Sequence, residues 1–314
     1  MSLRGKGMRV RGNLGIPPGW RCFLTAGLAT GVVVLAGLIA CSRQPPSNKT
    51  LSDTTKAFDA LFGELPRLPA LAPGFASVAY FPSSLEPGKF RPVPIFSVER
   101  GKEEMLVIRA VVEGIGGEEE GPVGALLKEI SLPFPYGSKL VSLSYDGGLV
   151  KVTVGGHFRS DYLSAEQKET AAKALALTVS QFGRAKRVEV IDASGMAGFD
   201  TAAKGGEIID IGSPRVLGLM AIQEEAGRPP SFLSVLFDRP VFIEDATFYP
   251  PGGNEPYPGE VYSTGFGMTL ELHPEPKTFF NTWKEYRIRL RIRDGKGRRT
   301  EEDRRWRPKV VSRH

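Results

Sequence analysis

The sequence predicts an α+β domain with the order ββαββαβ, its helices packed on one face of a sheet, followed by an all-β sandwich. Three observations predict this. Apolar residues recur at helical spacing only within residues 103–182. Strand-length apolar runs alternate with those helices, which is the pattern of helices layered on a sheet. Beyond residue 213 the runs continue at regular spacing with no helical stripe between them, as in a β-sandwich.

Composition narrows the function classes. The 314 residues carry 41 Lys+Arg against 35 Asp+Glu, a formal +6, but residues 1–40 hold five basic groups and no acid. Everything after them sums to +1, so bulk charge does not suggest a nucleic-acid binder. Only one apolar stretch approaches bilayer length, which excludes a multi-span membrane protein. The 37 glycines and 25 prolines are too few to imply disorder. The two cysteines, Cys22 and Cys41, lie in or at the end of the apolar stretch, so no internal disulfide and no Cys-rich zinc or redox site is expected further on.

The N-terminus reads as an export signal. Arg4, Lys6, Arg9, Arg11 and Arg21 precede an uncharged run from residue 22 to residue 40. That run ends in Leu38, Ile39, Ala40 and Cys41, which resembles the lipobox of bacterial lipoproteins. The resemblance implies a signal peptide over 1–40, cleavage before Cys41, and diacylation of its thiol. Two acyl chains hold a soluble domain at a membrane where one is marginal. The same 19 residues also suffice for an uncleaved transmembrane anchor. Either arrangement puts the domains on the outer face of the cytoplasmic membrane, because the basic residues stay inside.

The elements follow in order. Residues 41–72, with Pro45 and Pro46 and no apolar periodicity, read as a tether, in which Ser52 or Asp53 caps a short turn bearing Phe58, Leu61 and Phe62. Residues 73–195 form the α+β domain. Runs 75–81 and 93–98 predict a hairpin. Glu103 and Glu104 open a helix that Gly114, Gly116 and Gly117 end. Asp146, Gly147 and Gly148 join strands at 139–145 and 149–154 in the strongest hairpin signal of the chain. Ser164 and Gln167 form a capping box before the stripe Ala172, Leu175, Val179 and Phe182, and residues 187–191 close the unit as a strand. Residues 196–212 read as a linker. In 213–310, runs at 216–220, 232–237, 241–249, 268–272 and 286–293 predict the sandwich strands.

The first domain is similar to a known family. Tyr80, Phe81 and Pro82, the approach at 135–140, the hairpin at 143–154 and the last strand at 188–191 resemble the GerMN domain of spore germination and sporulation proteins. The resemblance covers roughly residues 75–195, and its motifs are structural rather than catalytic. Where the family commonly has an Asp-Phe-Ser element after the second hairpin strand, this chain has Gly155, Gly156, His157 and Phe158. The family's stop after the first helix is stretched into residues 116–122. The resemblance implies a non-enzymatic protein-protein assembly module of sporulation or germination, self-association into rings included. The β part looks like the immunoglobulin-like domains that accompany such modules, without their cysteine pair.

Candidate sites are few. His157, Ser160 and Asp161 fall together on a loop, but a catalytic triad is defined by geometry, not adjacency. His273 and His314 are remote, so a three-histidine metal site is not expected. Glu118, Glu119 and Glu120 read as a solvated charge run. No cofactor is implied. The remaining signal is a ladder in which Arg287, Arg289, Arg291 and Arg293 alternate with Tyr286, Ile288, Leu290 and Ile292. Residues 213–314 sum to +3 and residues 70–212 to −3. The ladder is thus a candidate surface for an anionic partner, such as lipid headgroups or cell-wall glycan and polymer. The alternative is an exposed face whose arginines pair with Glu271, Glu301 and Glu302.

Overall fold

The computed structural model describes residues 52–66, 74–99, 101–115, 122–194, 197–202, 206–225, 228–275 and 279–312. Cys41, the signal segment and the glutamates at 118–120 lie outside them.

The chain begins to fold earlier than its composition suggests. Strand β1 (Ser52–Thr54) leads into helix α1 (Lys56–Phe62), whose N-cap is Thr55 rather than Ser52 or Asp53. The Thr55 hydroxyl accepts the Phe58 N–H at 3.2 Å, and Phe58 and Phe62 are buried. The predicted tether therefore ends before Ser52, because two phenylalanines find a core there.

Next come β2 (Gly74–Pro82), β3 (Lys89–Ser97), α2 (Glu103–Glu113) and α3 (Pro122–Leu127). The hairpin β4 (Ser138–Asp146) and β5 (Leu149–Gly156) turns through Gly147 and Gly148 at φ of 54° and 92°. Helix α4 (Ala165–Ser180) starts at the capping box of Ser164 and Gln167. Strands β6 (Arg187–Asp192), β7 (Ala197–Ala202) and β8 (Glu207–Ile208) follow.

These strands form two sheets, β1-β2-β3-β8 and β4-β5-β6-β7, not the single sheet expected. The reason is visible along β2. Past β1, its edge is met by side chains of α4: Gln181 accepts from Val78 N at 2.9 Å and donates to Val78 O at 2.8 Å, and the Thr178 hydroxyl accepts from Tyr80 N at 3.2 Å. A glutamine amide offers the donor and acceptor that a neighbouring strand would, so these backbone groups are satisfied without one. Helices α2 and α4 touch both sheets and share one core with them. The 196–212 segment is not a separate linker, since β7 extends the second sheet and β8 the first.

Among the described residues the C-terminal part is a sandwich of eight strands: β9 (Val216–Gln223), β10 (Phe232–Phe237), β11 (Phe242–Tyr249), β12 (Gly259–Thr264), β13 (Thr269–Pro274), β14 (Tyr286–Arg293), β15 (Arg299–Trp306) and β16 (Lys309–Ser312). One sheet has the order β12-β13-β10-β9-β16 and the other β11-β14-β15. Leu233, Val235 and Leu270 from the first meet Phe248, Ile288 and Leu290 from the second in a core separate from that of the α+β part.

Candidate functional site

The arginine ladder lies where the alternation puts it. Tyr286, Ile288, Leu290 and Ile292 face the core, and Arg287, Arg289, Arg291 and Arg293 stand together on the outer face of the three-stranded sheet. Each meets an acid. Arg287 donates through Nε and Nη2 to the two oxygens of Asp303, both at 2.6 Å. Arg291 pairs with Glu301 at 3.0 Å, Arg293 with Glu244 at 3.5 Å, and Arg289 reaches Asp245 only at 3.9 Å. Of the partners expected for the paired alternative, Glu301 serves that role. Glu271 sits on β13 beside His273 in the other sheet, and Glu302 has its neighbour in Arg304. The ladder also carries rings: the guanidinium of Arg293 lies 4.2 Å from the Phe242 centroid and that of Arg287 5.0 Å from Tyr249.

The loop histidine takes a structural place. His157 Nδ1 lies 3.2 Å from the carbonyl oxygen of Tyr136, packed over Gly137. Asp192 accepts the N–H of Ser194 at 2.8 Å and that of Ser160 at 3.4 Å, so the backbone of this loop is pinned to the end of β6. Asp161 meets Arg159 at 3.7 Å. No His-Ser contact brings these three into a nucleophile and base arrangement among the described hydrogen bonds. Among the described residues no group of three or more His, Cys, Asp and Glu could hold a metal ion, and no helix is long and apolar enough to cross a membrane.

The largest concentration of buried charge was not anticipated. It lies where the two domains meet. Arg91 of β3 and Glu129, just after α3, come from the α+β side; Arg215, Asp238, Arg239 and Asp294 come from the sandwich. Arg91 Nη1 is 2.7 Å from Glu129, which takes a bidentate pair from Arg215 at 2.9 Å on each oxygen. Asp238 accepts from Arg215 N at 3.0 Å and from Arg239 at 3.1 and 2.9 Å. Arg239, 1% exposed, spends its other donors on the carbonyls of Ile211 and Gly212 at 2.6 and 3.0 Å. Asp294, fully buried, binds Arg298, which reaches back to Leu61 O at 2.7 Å. Burial makes Arg91 less basic than an ordinary arginine, the loss only partly offset by Glu129, whereas the bidentate bond to Glu129 raises Arg215.

Apolar contacts flank this seam. Phe96 stacks on Phe266 at 4.6 Å, and Phe266 holds a left-handed φ of 60°, alone among the described non-glycine residues. Gly63 and Gly295 bridge backbone to backbone, and a Cβ on either would collide with the other. The sequence did offer one signal: Asp238, Arg239 and Pro240 interrupt an apolar run between Phe232 and Ile243. The partners lie too far off in the chain for spacing to reveal them.

No family model matches the chain, and no curated protein matches it. Among solved structures the chain is similar to the first GerMN domain of the sporulation protein GerM from Bacillus subtilis, at 14% identity and a TM-score of 0.30, over 43% of this chain and 92% of that one. It is also similar to the tandem GerMN domains of the same protein, at 12% identity and a TM-score of 0.31, over 59% of this chain and 58% of that one. A Clostridium perfringens protein provisionally classed as a lipoprotein is similar at 12% identity and a TM-score of 0.25, over 43% of this chain and 91% of that one.

Proposed function

We propose that the chain is a lipid-anchored protein of the outer face of the cytoplasmic membrane that acts as a non-enzymatic protein-protein assembly module in sporulation or germination. The observation that carries this reading is the interdomain seam. Glu129 takes the bidentate pair from Arg215 across it, Arg91 reaches Asp238 at 3.9 Å and Arg298 donates to Leu61 O, so a GerMN-like unit and an immunoglobulin-like unit are held together and present one continuous surface. A scaffold needs that continuity.

The lipobox places this pair ten residues from Cys41, close to a bilayer. The sporulation context rests on the sequence resemblance. Cys41→Ser is expected to release the protein from membranes. A precursor that remains membrane-bound after the substitution favours the transmembrane anchor instead. Crosslinking in sporulating cells is expected to capture envelope proteins, and capture of none overturns the assembly role.

Binding of wall polymer through Arg287, Arg289 and Arg291 is the second reading. Such a polymer has to compete with Asp303, Asp245 and Glu301, which already hold those cations. Pelleting with wall material that survives substitution of all three dismisses it.

A further inference from the structure

Strand β15 ends its sheet. Its eight residues pair with β14 along their whole length, and no described strand lies against the other side. Natural edges of this length are usually blunted by proline, bulges or scattered charge. Arg299 opens β15 and is matched within the sheet by Glu244 at 3.3 Å; from there the charges are sorted by sign, Glu301, Glu302 and Asp303 first, then Arg304 and Arg305, with Arg307 just beyond. The segment from Glu301 to Arg305, acidic at one end and basic at the other, is complementary to itself when reversed.

We propose that β15 docks a second copy of this chain by antiparallel strand addition about a two-fold axis at Asp303, joining two three-stranded sheets into one of six. Residues that face each other across such a pair share a face of the sheet. On the outer face, Glu301 meets Arg305 of the second copy. On the inner face, Glu302 meets Arg304 of the second copy. The two-fold repeats both pairs, giving four ion pairs across one short ladder. Asp303 meets its own equivalent, and its charge is already matched by the bidentate Arg287. Parallel addition in register would set like charge against like at every one of these positions, so the pattern selects against it.

One side chain of this edge is left without its hydrogen bond in the single copy. Oε2 of Glu302 is buried with no hydrogen-bond partner, and burial raises the proton affinity of that carboxyl against the nearby Arg304. Arg304 itself lies over the Trp306 ring at 4.5 Å, held at the same edge. The antiparallel register delivers a guanidinium from the second copy to that carboxylate. By contrast, the edge strand β4 has its Leu140 N–H closed by Glu113 at 3.0 Å, and β16 is only four residues long.

This inference rests on the assembly reading only for setting copies side by side on one membrane. Partners captured from cells without any self-pairing would end it and leave that reading standing. The test uses the full lipid-anchored chain in membranes. Asp303→Cys is expected to form a disulfide dimer under mild oxidation, while Glu302→Cys and Arg304→Cys do so poorly and the parent chain gives the background. In the Asp303→Cys chain, reversing Glu301 and Glu302 to arginine is expected to cut the dimer about tenfold or more, as is reversing Arg304 and Arg305 to glutamate. Co-expressing the two reversed chains is expected to restore it, since each then supplies what the other lacks. No dimer from Asp303→Cys, a stronger dimer from Arg304→Cys, or no recovery on co-expression overturns the proposal.

Discussion

Two sets of arginines in this molecule meet carboxylates in opposite surroundings. Arg91 and Arg239 sit in the interdomain seam, 6% and 1% exposed; Arg91 meets Glu129 while its buried Nε has no hydrogen-bond partner, and Arg239 donates to Asp238 and to backbone carbonyls. Arg287, Arg289, Arg291 and Arg293 stand in water on the outer face of β14. The pairings look alike on a distance list. Their energetics differ, because removing one member of a buried pair strands the other in a medium that does not solvate it, whereas an exposed charge falls back on water. The seam therefore fixes how the domains sit, and the ladder stays free to exchange partners.

The sharpest way to break this contrast is Asp238→Ala. It leaves Arg239 and Arg215 facing each other without their common acceptor, and a loss of about 3–5 kcal/mol is expected. Calorimetry of the parent chain should show the two domains melting together, and the variant should split or lower that transition. A change below about 1 kcal/mol would mean that water enters the seam and that its charges behave like surface ones.

Next in size is Gln181→Ala. It removes both side-chain bonds to Val78 and the one from Thr55, leaving backbone groups of β2 without partners inside the α+β domain. About 1–3 kcal/mol should be lost, read as a shift in the denaturant midpoint. Gln181→Glu, which keeps the acceptor and loses the donor, should fall between the two.

What the sequence made legible, and what it hid, divides along the same physical line. Local rules were readable: the capping box at Ser164, the Asp146-Gly147-Gly148 turn, and the period of two along β14, where one face is apolar and the other charged. Strands without an apolar face were not. β15 turns Thr300, Glu302, Arg304 and Trp306 inward, so no alternation betrays it, and β7 and β8 bring only Phe199 and Ile208 as large apolar residues, so the segment reads as a linker. The seam was invisible for another reason. Arg91 and Asp238 are brought together by the packing of two domains, which no spacing rule encodes. The division of β2 and β4 between two sheets likewise depends on where one glutamine at the end of α4 happens to reach.

A third comparison uses pH. The Asp192 carboxylate is held below the usual aspartate range, first by the backbone N–H of Ser194, then by the Ser194 hydroxyl. A depressed folded-state pKa means stability that is present above the unfolded value, about 3.9, and is lost as pH falls through the folded one. Asp192→Asn should therefore be less stable than the parent chain at neutral pH, with the gap narrowing below pH ~4. A gap that stays constant with pH would assign the effect to lost shape rather than lost charge.

The smallest effect belongs to the ladder. Arg289, half exposed and 3.9 Å from Asp245, has the loosest pairing on its face. Arg289→Ala should cost no more than about 0.2–1 kcal/mol, and that difference should fade toward 1 M salt, where the screening length shortens to about 3 Å. Urea midpoints at low and high salt read both quantities. A loss as large as that of Asp238→Ala, unchanged by salt, would mean that this face is covered in the molecule as it works. The arginines would then belong to an interface, and the contrast between seam and ladder would be one between two kinds of buried contact.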